Sequence, residues 1–94
     1  MVICINKYNV KEGCLDQMIK ELNACGAGDI FREQPGCIMF SYSADIEEPD
    51  VLYLTDVWAD EGAFQGHLKC AGIPLWHEVR DKYIVAKDSR RYDA

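Results

Sequence analysis

Two short apolar segments decide the fold of this chain: Cys37-Ile38-Met39-Phe40-Ser41-Tyr42-Ser43-Ala44 and Val51-Leu52-Tyr53-Leu54-Thr55-Asp56-Val57-Trp58. The second is rich in β-branched and aromatic residues, which favour strands. The polar turn 46–50 between them has a length typical of a hairpin, so the two strands should pair antiparallel. In the first strand we expect alternation to place Ile38, Phe40 and Tyr42 on one face and Met39, Ser41 and Ser43 on the other.

The residues before this hairpin predict one more strand and one helix. Residues 1–9 alternate, with Ile3 and Ile5 opposite Cys4 and Tyr8, and apolar side chains occur on both faces. Apolar residues at helical spacing from Leu15 to Cys25 predict an amphipathic helix that begins near Cys14. The segment Gly26-Ala27-Gly28 should break or kink this helix, and a widened pocket entrance is one interpretation of it. Pro35-Gly36 ends the segment.

The residues after the hairpin predict a second helical region and a last strand. Asp60 should cap a helix that runs to about Cys70 and carries Phe64, His67 and Leu68 on one face. Gly72 is expected to stop it. Pro74 can then begin a further short helix that holds Trp76 and His77, and residues 83–87 should form the last strand.

The predicted order of elements is strand, helix, strand, strand, helix, strand. This is the split βαβ arrangement of a ferredoxin-like α+β fold with an antiparallel sheet. A chain of 94 residues has room for one domain, 1–94. Because the strands are apolar on both faces and the helices cover only one, we expect the second face to be buried in a homodimer.

Composition excludes several classes of partner. The formal charge of −6 and the pI near 4.7 disfavour nucleic acid, and the one basic pair, Arg90 and Arg91, is expected in a tail. No segment approaches the roughly 20 apolar residues of a membrane span, and residues 1–7 do not resemble a secretory leader. A cytoplasmic protein is the expectation.

The five cysteines have no C-x-x-C spacing, so they give little support to zinc or thioredoxin-like chemistry. Free cysteines in a reducing compartment usually behave as small buried hydrophobic residues, and that is the expectation here. Cys70, near His67 and His77, is the best candidate for a reactive thiol.

Four segments carry a resemblance to a known family: Asn9-Val10-Lys11-Glu12-Gly13, Gln34-Pro35-Gly36-Cys37, Val57-Trp58-Ala59-Asp60-Glu61 and Ala63-Phe64-Gln65-Gly66-His67-Leu68. In this order and spacing the chain resembles the antibiotic biosynthesis monooxygenase superfamily over nearly its whole length. The resemblance implies a dimeric α+β barrel with a ligand cavity between sheet and helices in each subunit. Activities in this superfamily are diverse, so the fold alone does not determine the chemistry.

Three side chains are the candidate catalytic residues: Asn6, His67 and His77. Asn is disfavoured in strands, so Asn6 stands out, and it could donate a hydrogen bond to a substrate oxygen or merely close a strand end. His67 should point inward, either as a hydrogen-bonded core residue or as an imidazole near its usual pKa, about 6.5, that removes a phenolic proton. A His at this position resembles that of quinol-oxidising members. Phe64, Trp76 and Leu68 are expected to bind substrate.

Three functions remain open on this reading. The leading hypothesis is a cofactor-independent monooxygenase that acts on a small phenolic or quinol-type substrate and needs no metal, with either His67 or His77 removing the proton. The resemblance also admits a haem-binding or haem-degrading enzyme in which His77 ligates iron and Asn6 lies near it, although His67 stands where those members have a pocket Trp. The third is a non-catalytic metabolite-binding dimer, or an isomerase.

Overall fold

The computed structural model describes residues 1–94, which form one four-stranded sheet and four helices. The elements in chain order are β1 Val2–Val10, α1 Leu15–Cys25, α2 Ala27–Arg32, β2 Cys37–Ala44, β3 Val51–Trp58, α3 Glu61–Leu68, α4 Gly72–Tyr83 and β4 Ile84–Asp93. The strand order is β2-β3-β1-β4, and every neighbouring pair is antiparallel. The predicted α+β, ferredoxin-like fold is confirmed.

The core lies between one face of the sheet and the helices. Inward side chains of the central strands, such as Tyr8 and Leu54, pack against Met18 of α1, Phe31 of α2 and Trp76 of α4. A smaller cluster of Val2, Cys4 and Trp58 lies at the other end of this face. Burial of large apolar side chains here supplies the main favourable term in folding.

The glycine-rich interruption separates α1 from α2. Gly26 adopts a left-handed conformation (φ 75°), which ends α1 and lets the chain begin a second helix at once. Gly26, Ala27 and Gly28 do not line the cavity between the sheet and the helices, so the structure gives no support to their interpretation as a pocket entrance. The interruption instead turns the chain so that α2 can bring Phe31 onto the sheet.

The residues after α3 differ most from the prediction. Gly72 does not stop a helix; it is the first residue of α4, which has 12 residues. A Cβ atom there would lie 2.6 Å from the Phe31 ring, so glycine allows α4 to approach α2 closely. The last strand extends through Asp93 rather than Lys87, and therefore Arg90 and Arg91 lie in β4 and not in a tail.

The alternation predicted for β2 fails at its first residues. The β2–β3 register shifts between Cys37 and Met39, as a β-bulge requires, and Ile38 is 56% exposed. Phe40 is buried as expected, and Tyr42 is partly buried on the same side. The bulge therefore explains why Ile38 leaves the inner face although its sequence position suggested otherwise.

The opposite face of the sheet, which we call the outer face, carries an apolar row across all four strands. The pairing register places Met39 beside Val57, Val57 beside Ile3, and Ile3 beside Tyr92. Met39 and Tyr92 are 43% and 49% exposed. No helix covers this face, because the helices pack on the inner one.

Candidate functional site

A cavity of about 340 Å³ lies between the inner face of the sheet and helices α2, α3 and α4. This volume falls within the usual range of small-molecule sites, about 300–1,000 Å³. All six residues predicted to be catalytic or substrate-binding line this cavity, whereas Cys70 does not: Asn6, Phe64, His67, Leu68, Trp76 and His77. Residues from both ends of the chain meet here because β1 is a central strand and pairs with both β3 and β4.

His67 lies deep in the cavity wall and is 7% exposed. Its ring stacks on Trp58 with centroids 4.4 Å apart, and Phe31 meets it edge-on at 4.6 Å. Its Nδ1 is buried without a hydrogen-bond partner. The inward orientation predicted for His67 is thus observed, but its surroundings are aromatic rather than polar.

This burial changes the acid–base behaviour of His67. Desolvation disfavours the charged imidazolium and lowers the pKa of His67 to about 4. The sequence suggested an imidazole near its usual pKa, and that expectation is wrong. At neutral pH His67 is an uncharged group that can exchange hydrogen bonds with a ligand but binds a proton weakly.

His77 and Trp76 reach the cavity from α4. Trp76 is 6% exposed and packs edge-on against Tyr8, with ring centroids 5.4 Å apart. His77 is only partly buried and also lines the cavity. Trp76 therefore forms part of the apolar inner wall, whereas His77 places its imidazole at a more exposed part of the wall.

Asn6 projects from the middle of β1 into the cavity. Its Nδ2 donates to the backbone oxygen of Leu54 at 3.2 Å and to Oδ1 of Asp56 at 3.5 Å. The first bond fixes the orientation of the amide, and the second is long enough to be exchanged for a ligand. Asn6 can thus keep its hydrogen bond to the neighbouring strand and still bind a ligand.

Asp56 is a site residue that sequence reasoning missed. It lies on β3, lines the cavity and is 3% exposed. Its Oδ2 accepts a 2.7 Å hydrogen bond from Trp58 Nε1. Burial raises the pKa of Asp56 above its ordinary value of 3.8, and the Trp58 hydrogen bond partly opposes that rise. A signal was present, since Asp56 is the one polar residue in the alternating set of Leu52, Leu54, Asp56 and Trp58 in β3.

Phe64 and Leu68 border the cavity from α3. Leu68 is 45% exposed, so it lies at the opening rather than in the interior. The Arg91 guanidinium lies 5.2 Å from the centre of the Phe64 ring and also pairs with Glu61. These contacts attach α3 to β4 at the edge of the cavity.

The cysteines are all free. Burial raises the pKa of Cys4, which lines the cavity, to about 11, so it stays a protonated thiol at neutral pH. Cys70 packs against the main core, and its Sγ makes no hydrogen bond to His67 or His77. No three His, Cys, Asp or Glu side chains are grouped as a metal site would require.

The cavity fits a haem poorly. Asn6 and His77 both line it, as the haem reading requires. However, the His67 ring is stacked on Trp58 and meets Phe31 edge-on, so the inner end of the cavity is closed by packed rings. We therefore derive no chemistry through haem.

Several solved structures have a fold similar to that of this chain. A protein from Nitrosomonas europaea assigned to the antibiotic biosynthesis monooxygenases has a TM-score of 0.88 and 14% identity, with coverage of 100% of this chain and 98% of that one. One from Deinococcus radiodurans has a TM-score of 0.84, 20% identity and coverage of 100% and 92%. SnoaB, a cofactor-independent oxygenase from Streptomyces nogalater, has a TM-score of 0.78, 19% identity and coverage of 99% and 91%.

At these identities the structural likeness establishes the fold alone. No curated protein matches the sequence. None of the helices combines the length and the apolar character needed to cross a membrane. The family model for antibiotic biosynthesis monooxygenase matches residues 1–79, which is most of the chain. The chain therefore belongs to the antibiotic biosynthesis monooxygenase family.

Proposed function

We propose that this protein is a cofactor-independent monooxygenase that oxidises a small phenolic or quinol-type substrate in the cavity. The observation that carries the proposal is the meeting of one buried carboxylate, one amide and two imidazoles on an aromatic-walled cavity. An electron-rich ring would be held by aromatic and apolar contacts. The polar groups would act on its hydroxyl or activated C–H.

Asp56 is the proton acceptor in this proposal. A desolvated carboxylate with a raised pKa binds a proton more readily than an ordinary one, whereas His67, with a pKa of about 4, binds it weakly. His67 and Asn6 then orient the substrate oxygen by hydrogen bonds. His77, at a more exposed part of the wall, is the alternative proton acceptor, since it also lines the cavity.

The reaction would balance as follows for an anthrone-type CH2 group. Loss of a proton to the base leaves a carbanion, which reacts with O2 in two one-electron steps and gains a proton to form a carbon-bound hydroperoxide. Elimination of water then leaves a carbonyl group. One oxygen atom enters the product and the other leaves in water, so dioxygen is the only oxidant.

Oxygen uptake with anthrones and quinols tests the proposal. Wild-type protein should consume O2 only when substrate is present, and label from ¹⁸O2 should enter the product. Asp56→Asn keeps the size and one acceptor oxygen but removes the base, so kcat should fall about 10²-fold or more. His67→Ala and His77→Ala test the imidazoles, and Asp16→Asn, on the exposed start of α1, is the matched control. Uptake indifferent to Asp56→Asn and to both histidine changes contradicts the proposal.

A haem titration separates this function from the haem alternative. We expect no sharp, saturable change in the Soret band on addition of haem. A saturable change that His77→Ala abolishes would instead establish haem binding.

The functional unit in this proposal is a homodimer of the domain 1–94. The outer face presents the row of Met39, Val57, Ile3 and Tyr92 to solvent. Soluble monomers rarely leave an apolar patch of more than a few hundred Å² exposed. A second copy, packed sheet to sheet, would bury this row and make the barrel that the resemblance implies. The cytoplasmic location stays a prediction.

A further inference from the structure

The exposed border of the cavity is cationic although the chain as a whole carries a formal charge of −6. Four basic residues line the cavity, Arg80, Lys87, Arg90 and Arg91, although Arg90 pairs with Ile5 and therefore has its side chain on the outer face. The only acidic residue that lines it, Asp56, is buried. Basic residues therefore predominate among the residues that line the border of the cavity.

The register of β4 explains why part of this border faces inward. Lys87 pairs with Tyr8, Ser89 with Asn6, and Arg91 with Cys4. Side chains that pair directly across two strands lie on the same face of a sheet. Lys87 and Arg91 thus extend over the same face as the cavity wall.

The four cations are not equally available to a ligand. Arg91 pairs with Glu61 and Asp93, Arg90 with Asp88 at 3.6 Å, and Arg80 with Asp81 at 2.9 Å. Lys87 makes no salt bridge, since no carboxylate oxygen lies within 4.0 Å of its ammonium. Lys87 is therefore the cation most free to bind an anion.

A second, more open recess of about 540 Å³ adjoins the first beside Lys87. The two share Tyr8, Arg80 and Lys87 in their walls. A ligand whose ring lies among Phe40, Leu54 and Trp76 could thus extend past Tyr8 toward the ammonium and guanidinium groups. The combined site has an aromatic inner part and an outer part that contains two basic side chains, Arg80 and Lys87, and one carboxylate, Asp81, which is the ion-pair partner of Arg80.

We propose that the natural ligand is an aromatic anion, with its ring in the inner cavity and a carboxylate or phosphate substituent bound by Lys87 and Arg80. The inference rests on the proposed function and names its substrate class. Lysine and arginine form charge-assisted hydrogen bonds with such groups, stronger than neutral ones. An acidic protein repels anions at long range, so a local cationic border is needed to bind one. Binding should weaken as salt screens these charges.

Isothermal titration with matched naphthalene derivatives tests the inference without turnover. 2-Naphthoate and 2-naphthamide have nearly the same shape and differ in charge, and 2-naphthyl phosphate compares phosphate with carboxylate. We expect an anionic ligand to bind at least about fivefold more tightly than the amide at about 0.05 M salt, and the preference to shrink at about 0.5 M. Lys87→Gln should remove most of the preference. Lys20→Gln, an equal charge change on the exposed side of α1, should leave it intact.

The outcomes separate this inference from the proposed function. Equal binding of acid and amide, or a preference that survives Lys87→Gln, overturns the inference while oxygen uptake with uncharged quinols still decides the oxygenase proposal. Failure of every naphthalene derivative to bind overturns it as well. A preference for one anion over the other, lost in Lys87→Gln, supports it and identifies the substituent.

Discussion

The acid–base character of His67 is set by residues that are distant in the chain. Trp58 of β3 stacks on the ring and Phe31 of α2 meets it edge-on, while Nδ1 has no partner. Periodicity in α3 correctly predicted that the ring points inward. The pKa, however, depends on what surrounds the ring, and residues near in sequence do not reveal that.

The lowered pKa of His67 predicts a specific loss of stability in acid. The unfolded chain binds the proton near pH 6.5 and the folded chain only near pH 4, so the free energy of unfolding should fall as pH drops between these values, by up to about 3 kcal/mol. His67→Phe keeps a ring against Trp58 and removes this titration. Urea unfolding at pH 7, 5.5 and 4.5, at one protein concentration, measures the difference.

Asp56 contributes to the same curve with the opposite sign. Its raised pKa favours the folded state at low pH, and this contribution is lost as pH rises through the folded-state value. Asp56 makes this contribution in wild type and in His67→Phe alike, so the difference between the two proteins reports the titration of His67. If His67→Phe loses as much stability in acid as wild type, the assignment of the pKa to burial is wrong.

At the scale of elements, the position of α3 depends on one glycine before β2. Gly36 has φ +80°, and a Cβ atom there would lie 2.5 Å from the Cβ of Ala63 in α3. The sequence indicated that Pro35-Gly36 ends a segment. The structure adds that Gly36 lets α3, which carries Phe64 and His67, pack directly on the start of β2.

Gly36→Ala should therefore cost more stability than an alanine at an unobstructed left-handed glycine. Backbone strain alone costs about 1–2 kcal/mol, and overpacking adds about 1–3 kcal/mol. Gly13→Ala is the matched control, because Gly13 has φ +76° and nothing lies within 4 Å of an added Cβ. Urea midpoints of the two variants measure the packing contribution. Equal losses of stability in Gly36→Ala and Gly13→Ala would contradict this prediction, because α3 would then shift to accommodate the added Cβ atom.

At the scale of the whole molecule, the outer face of the sheet is the surface through which we propose that two copies associate. Helices cover only the inner face, so the row of Met39, Val57, Ile3 and Tyr92 is exposed in the protomer. Ile5 lies on the same outer face and is 36% exposed. Self-association by this face would also leave the cavity on the far side of each sheet.

Met39→Lys should shift the protein toward monomer. A two-fold interface would contain two such lysines, and burying unpaired charges should raise the dimer dissociation constant about 100-fold or more. Met39 is 43% exposed in the protomer, so the fold itself should tolerate the change. Sedimentation velocity over a range of concentrations measures the shift. Ile46→Lys, at a turn residue that is 99% exposed, is the control and should leave association unchanged.

A substantial part of the site followed from pattern alone. Helical spacing in α3 placed His67 on an inner face, and the low strand propensity of Asn singled out Asn6; both line the cavity. Asp56 was missed although its position in β3 follows the same alternation. Its role depends on burial beside Trp58 and Asn6, which only the packed sheet produces.

The sequence by itself determined the types of elements, their order and the ferredoxin-like topology, because apolar periodicity and turn residues act over a few neighbouring positions. Tertiary structure decided the extent of β4, whose polar end from Asp88 to Asp93 has no apolar pattern and exists as a strand because it pairs with β1. It likewise decided the pKa of His67 and the cationic border of the cavity. These properties arise from groups far apart in the chain, and distance in space, not in sequence, sets burial and charge interactions.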